Sequence, residues 1–241
     1  MAVITISRQV GSGGDEIANR LCEMLGYQQF DKRLIIQAAA ESGLSENEIA
    51  AWPADYSEES FKVRGFLDRL FGRGMSVGQT RVWHEDATGA RVAETVTLSE
   101  ESVLVLVQNA IRSAHRTGRL VIVGRGGQIL LKDQPDVLHV RVEAPLEYRI
   151  QRVKEQMRSD RQAFLADIEL RREAQDWVQS RDASSTEYIR HFYHEDWANP
   201  LLYHLVLNTG LLSIPQAIDI IARLAMELPA QAAQPISPEV G

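Results

Sequence analysis

Short apolar runs rich in β-branched residues recur along this chain, each followed by a longer stretch with helical spacing. They include "VITIS" (3–7), "RLVIVGRGG" (119–127), "DVLHVRVEAP" (136–145) and "HLVLNT" (204–209). Strands this apolar, separated by helices, imply a parallel sheet covered on both faces. The intervening segments supply the helices. Asp15 to Leu25 repeats apolar residues at helical spacing until Gly26 stops it, Pro145 suits the first turn of a helix, and a closing helix is expected near Ile214 to Met226. "YQQFD" (27–31) reads as a second strand leading to a helix near Lys32 to Glu41, and Ser45 with Glu48 forms a capping-box pattern.

Two stretches interrupt this rhythm. Within residues 72 to 98, "RVWHEDATGARVAETVTL" reads as a hairpin turning near Thr88-Gly89. Residues 146 to 195 are long, helical and rich in arginine. The tail, 228–241, has the composition of a disordered end. The expected organisation is a single domain over 1–227, with an insert at about 45–98 and a helical region at about 146–195.

With 241 residues and a formal net charge of -7, nothing global favours duplex DNA or an anionic membrane. A nucleotide site must therefore create its own local positive potential. The single cysteine, Cys22, rules out an internal disulfide and reads as a small core hydrophobe among Ile17, Leu21 and Leu25. No apolar run approaches the ~18 residues of a membrane span, and the N-terminus lacks a signal-peptide pattern, so a cytoplasmic location is expected.

The first strand enters "SRQVGSGGDEI", where Gly11, Gly13 and Gly14, with Ser12 between them, precede a helix. Such a turn offers backbone N–H groups and a helix N-terminus to an anion. The full phosphate-loop pattern ends in Gly-Lys-Ser/Thr. Here that segment aligns with Gly13-Gly14-Asp15, so both the lysine and the hydroxyl are missing. Arg8, just before the glycines, fits either a bidentate phosphate ligand or a surface arginine. Asp15 fits either a magnesium ligand or an acid favoured by the helix dipole.

In this order, "ITISRQVGSGGDEIANRL", "FDKRLI", "VIVGRGGQILL", "VLHVRVEAPLEYRIQRV", "SRDASSTEYIRHFY" and "YHLVLNTGLLSIPQAI" resemble the cytidylate kinase-like family of P-loop nucleoside monophosphate kinases. The resemblance implies a three-layer α/β fold with a five-stranded parallel sheet ordered 2-3-1-4-5, a monophosphate-binding insert and a mobile lid. It implies ATP on the loop at the carboxyl ends of the strands, with Mg2+, and small-molecule nucleotides as partners in place of nucleic-acid polymers or membranes. The implied reaction is phosphoryl transfer to a nucleoside monophosphate, cytidylate being the family's substrate. The alternative is a non-catalytic nucleotide-binding or regulatory protein on the same fold.

Carried over residue by residue, the resemblance puts Arg125 and Asp182 on the acceptor side, along with Asp31 and Arg33 after the second strand. Asp31 equally suits a helix N-cap. Where cytidylate kinases proper typically have Gly-Arg-Asp, this chain has Gly124-Arg125-Gly126, and Ser185 replaces an arginine after Asp182. Arg149, Arg152 and Arg181 would give the lid its cations, although acids interleaved with them also suit a solvated helix. His191 and His194 belong to an aromatic segment, "YIRHFYHEDW", that reads as packing and not as a metal site.

Overall fold

The computed structural model describes residues 2–31, 34, 79–85, 91–97, 100–160 and 167–228. Arg33, the helix expected near Lys32 to Glu41 (apart from Leu34), the Ser45–Glu48 capping box, the Thr88-Gly89 turn and residues 229–241 of the tail lie outside the described residues.

Strand β1 (Val3–Arg8) leads through the glycine loop into α1 (Gly14–Leu25), and β2 (Gln28–Gln29) follows. Strands β3 (Gln79–Glu85) and β4 (Arg91–Thr97) pair antiparallel as a separate two-stranded sheet, the expected hairpin. Then come α2 (Glu100–Thr117), β5 (Leu120–Val123), the short α3 (Gly127–Leu130) and β6 (Val137–Glu143). Helices α4 (Leu146–Asp160) and α5 (Asp167–Tyr193) form the arginine-rich segment, and β7 (Leu205–Asn208) and α6 (Ile214–Glu227) complete the order.

The main sheet runs β2-β5-β1-β6-β7, and every pairing in it is parallel. Counting only its own strands, the order is 2-3-1-4-5, as the resemblance implies. Val3 sits between Leu120 and Val137, so β1 occupies the centre and delivers its glycine loop to the middle of the sheet's carboxyl edge. Open α/β sheets bind ligands at that edge. Strand β2 is shorter than "YQQFD" because it lies at the sheet margin, where a single neighbour holds it; one more bond, Phe30 N to Val121 O at 2.8 Å, extends the pairing.

Alternation along β1 divides the core. Ile4 and Ile6 pack with Ile17 and Leu21 of α1 and with Ile218 and Ile221 of α6. Val3 faces the other layer, with Ile111 of α2, Ile122 and Phe30. Cys22 is half-buried against the first layer, and burial, with Glu23 nearby, raises its thiol pKa, which suits a packing residue. A third cluster, Ile150, Val153, Ala174 and Val178, joins α4 to α5, with Val10 of the glycine loop packed against it. Among the described residues, no helix is long and apolar enough to cross a membrane.

Candidate functional site

The glycine loop is built from the backbone outward. Ser12 bonds back to the Gln9 carbonyl through both its N–H (3.2 Å) and its Oγ (2.7 Å), closing a tight turn. Thr209, beyond β7, donates to the Ser12 carbonyl at 2.6 Å. Gly13 is the residue before α1, with φ 83°, a left-handed conformation that favours glycine. No side chain caps this helix, so its first N–H groups point to the space beyond the loop.

Arg8 and Arg152 border that space, with Arg181 further along on α5. Arg8 donates from Nε to Asp15 Oδ1 at 2.9 Å, and its Nη1 lies 3.3 Å from where a Cβ on Gly124 would sit. It thus spans from the first turn of α1 to the glycine turn after β5. Arg181 of α5 stacks over Trp177 at 4.1 Å. Burial first, and the Arg8 charge second, push the Arg181 pKa down. Arg152 of α4 bonds Glu16 Oε2 at 3.0 Å, and its Nη2 is 3.6 Å from a Cβ position at Gly13. Burial works against the Arg152 charge, but Glu16 and Tyr148 outweigh it and raise the pKa.

Arg149 is placed differently from Arg152 although both lie on α4. It is buried, donating from Nε to the Ala144 carbonyl at 2.9 Å and from Nη1 to the Val10 carbonyl at 3.2 Å and Asp182 Oδ2 at 2.5 Å. The other Asp182 oxygen accepts from the Val10 N–H at 3.0 Å. These two residues therefore touch the loop's backbone and each other.

Around the turn after β5, Gly124, Arg125 and Gly126 all have positive φ, 56° at Arg125. Arg125 lies over the Phe30 ring at 5.2 Å and donates to the Phe30 carbonyl at 3.3 Å. Tyr193, at the end of α5, donates to the Arg125 carbonyl at 3.2 Å, and its ring would lie 2.5 Å from any Cβ at residue 126. Asp31 Oδ1 accepts from Leu34 N at 3.3 Å, the pattern of a cap. Tyr193, Glu16 and Gln9, whose Oε1 accepts from Ala144 N at 3.2 Å, were not signalled by any motif. No group of three potential metal-binding side chains occurs among the described residues.

A model of the "Cytidylate kinase-like family" matches residues 3–211. The chain belongs to the cytidylate kinase-like family. An uncharacterized protein from Eubacterium ventriosum has a similar solved structure, with TM-score 0.59 and 16% identity, covering 94% of this chain and 99% of its own. That likeness is one of fold. Shikimate kinase from Acinetobacter baumannii, solved with shikimate, matches at TM-score 0.42 and 13% identity over 94% of this chain and 93% of its own. Shikimate kinase from Bacteroides thetaiotaomicron matches at 0.44 and 13%, over 93% and 98%. No curated protein matches in sequence. Membership in the cytidylate kinase-like family supports phosphoryl transfer in general.

Proposed function

We propose that this protein transfers the terminal phosphoryl group of ATP, taken as its magnesium complex, to a nucleoside monophosphate, with cytidylate the first acceptor to test. The observation that carries the reading is the convergence of Arg8 and Arg152 on an uncapped helix start behind a glycine turn. ATP fits this cradle: backbone donors meet its phosphates, and Arg8 takes the place of the mobile cation that the loop lacks. In the transfer, the bond from the terminal phosphorus to the bridging oxygen breaks. An acceptor phosphate oxygen forms the new bond, and ADP leaves with the bridging oxygen. Developing charge would be met by positioned cations, for which Arg152, once released from Glu16, and Arg181 are the candidates.

Asp15 is the carboxylate suited to magnesium, which would supply charge neutralisation between the phosphates. Its side chain is about half exposed and holds only Arg8 among the contacts described, so the ion and the arginine would compete for it. Arg125, which donates to the Phe30 carbonyl, is the acceptor-side cation of this reading, and Asp31 follows Phe30 in the chain.

A second reading, a nucleotide-binding protein without turnover, draws support from two observations. Residue 14 has no space for the usual lysine, and Tyr193 fills the place of a side chain at 126. One experiment separates them: purified protein with ATP, magnesium and each nucleoside monophosphate in turn, followed by nucleoside diphosphate formation. Cytidylate should be phosphorylated fastest. Equal background rates with all acceptors, together with measurable ATP binding, would leave the binding-protein reading.

A further inference from the structure

Arg149 and Asp182 come from different helices yet meet on one residue of the glycine loop. Asp182 of α5 accepts the Val10 N–H, Arg149 of α4 donates to the Val10 carbonyl, and the two side chains are joined to each other. Both polar groups of one peptide segment are thus gripped from outside the loop. The Val10 side chain adds an apolar anchor by packing on the Ile150, Val153, Ala174 and Val178 cluster. Gly11 completes the contact: a Cβ there would meet the Arg149 carbonyl oxygen at 2.7 Å. Arg149 is in turn fixed at its base by the Ala144 carbonyl, at the end of β6. This grip, with the Val10 packing, ties the loop's entry to the α4–α5 pair.

We infer that Arg149 and Asp182 are positioning residues that clamp the glycine loop to the α4–α5 helix pair, so that the loop and the helix pair move as one body. Both oxygens of Asp182 are committed to this clamp, and so is the Nη1 of Arg149. The loop's anion-facing N–H groups are thereby held in place before any ligand arrives, and rearrangement of the helix pair is transmitted to them. The consequence for a nucleotide rests on the proposed function; the clamp itself does not.

The test is amide hydrogen–deuterium exchange on the full-length protein without ligand, for wild type, Asp182→Ala, Asp182→Asn and Arg149→Lys. Asparagine keeps an acceptor for Val10 but loses the ion pair, and lysine keeps the charge but loses the fork. Exchange at the hydrogen-bonded loop amides of Val10 and Ser12 should accelerate about ten- to a hundred-fold in Asp182→Ala and less in the two conservative variants. Amides of β1 and β6 should be unchanged. Unchanged exchange in the loop, or equal acceleration across the whole sheet, overturns the clamp. If Asp182→Ala does not fold, the two conservative variants decide in the same way. Calorimetric titration with ATP forms a separate arm, in which Asp182→Asn should bind about tenfold more weakly than wild type. Absence of ATP binding by wild type would sink the proposed function and leave the exchange result to judge the clamp. Equal ATP affinity with a loosened loop would overturn the coupling of clamp to ligand.

Discussion

The Cβ and Cγ of Arg8 lie 2.5 and 2.8 Å from the point where a side chain on residue 14 would begin. Gly14 is the first residue of α1, so the obstacle at this position is space and not backbone conformation. The arginine stem and a phosphate-loop lysine are therefore mutually exclusive here. Gly14→Lys, although it restores the familiar motif, should destabilise the protein by about 1–3 kcal/mol, the usual cost of overpacking. It should not tighten ATP binding. Adding Arg8→Gly, which removes the opposing Cβ, should recover much of that stability in denaturant titrations. A lysine variant as stable as wild type would show that the loop yields, and the exclusion would be wrong.

Arg8 is bonded to Asp15 in the free protein, so phosphate must win it from a carboxylate. Arg8→Ala removes charge-assisted bonds worth about 1.5–3 kcal/mol each. ATP affinity should then fall about ten- to a hundred-fold by calorimetry, at 1.4 kcal/mol per decade. Asp15→Asn should act in two directions. Without magnesium it should tighten ATP binding by removing the carboxylate's charge from beside the guanidinium, and it should blunt the gain that magnesium gives wild type. An unchanged magnesium dependence would remove Asp15 from the metal site.

The central strands β1, β5 and β6 were legible because both of their faces are buried, which leaves uninterrupted apolar runs in the sequence. Their order was legible only through the family resemblance, since nothing in periodicity tells β1 to lie between β5 and β6. The site was legible in part. Spacing puts Arg149 and Arg152 on one face of α4, but α4 packs so that Arg149 turns inward and Arg152 stays about one-third exposed. Which of two arginines three residues apart is buried depends on where Asp182 lies, on another helix, and no local pattern carries that. Tyr193 was hidden for the same reason. It looks like one more aromatic in a packing segment until the fold sets its ring against Gly126.

Arg152 and Arg149 should therefore separate in kinetics. Arg152 is partly exposed beside Gly13, so, if the proposed reading holds, Arg152→Ala should lower turnover about tenfold or more while changing ATP affinity little. Matching losses in affinity and turnover would assign it to ground-state binding instead.

Tyr193 and Gly126 make a packing pair at the turn after β5. Gly126→Ala places a Cβ 2.5 Å from the ring at a residue with φ 71°, and should destabilise by about 1–3 kcal/mol. Tyr193→Ala should relieve the clash but not the backbone strain, so a double-mutant cycle should show coupling and incomplete rescue. Strict additivity in thermal unfolding would mean that the ring moves aside freely.

The last prediction concerns acid stability. His139 of β6 is buried, its Nδ1 2.7 Å from Thr5 Oγ1 and its ring stacked on His204 at 5.1 Å. Burial first, and the neighbouring His204 second, push its pKa down from 6.5 to about 4, while the Leu131 backbone pulls weakly upward. The unfolded chain therefore takes a proton at this residue near pH 6.5, and the folded protein resists until about pH 4. Stability must rise with pH wherever the unfolded state holds more protons. The contribution of His139 is thus fully present above about pH 6.5 and is lost as pH falls to about 4, where it levels off. At 1.36 kcal/mol per pKa unit, the loss is on the order of 3 kcal/mol at most. His139→Gln keeps a polar group beside Thr5 without titrating, so its unfolding free energy should fall less steeply between pH 6.5 and 4 than that of wild type. Parallel pH profiles in urea titrations would show that other groups carry the acid sensitivity and that His139 is protonated as readily folded as unfolded.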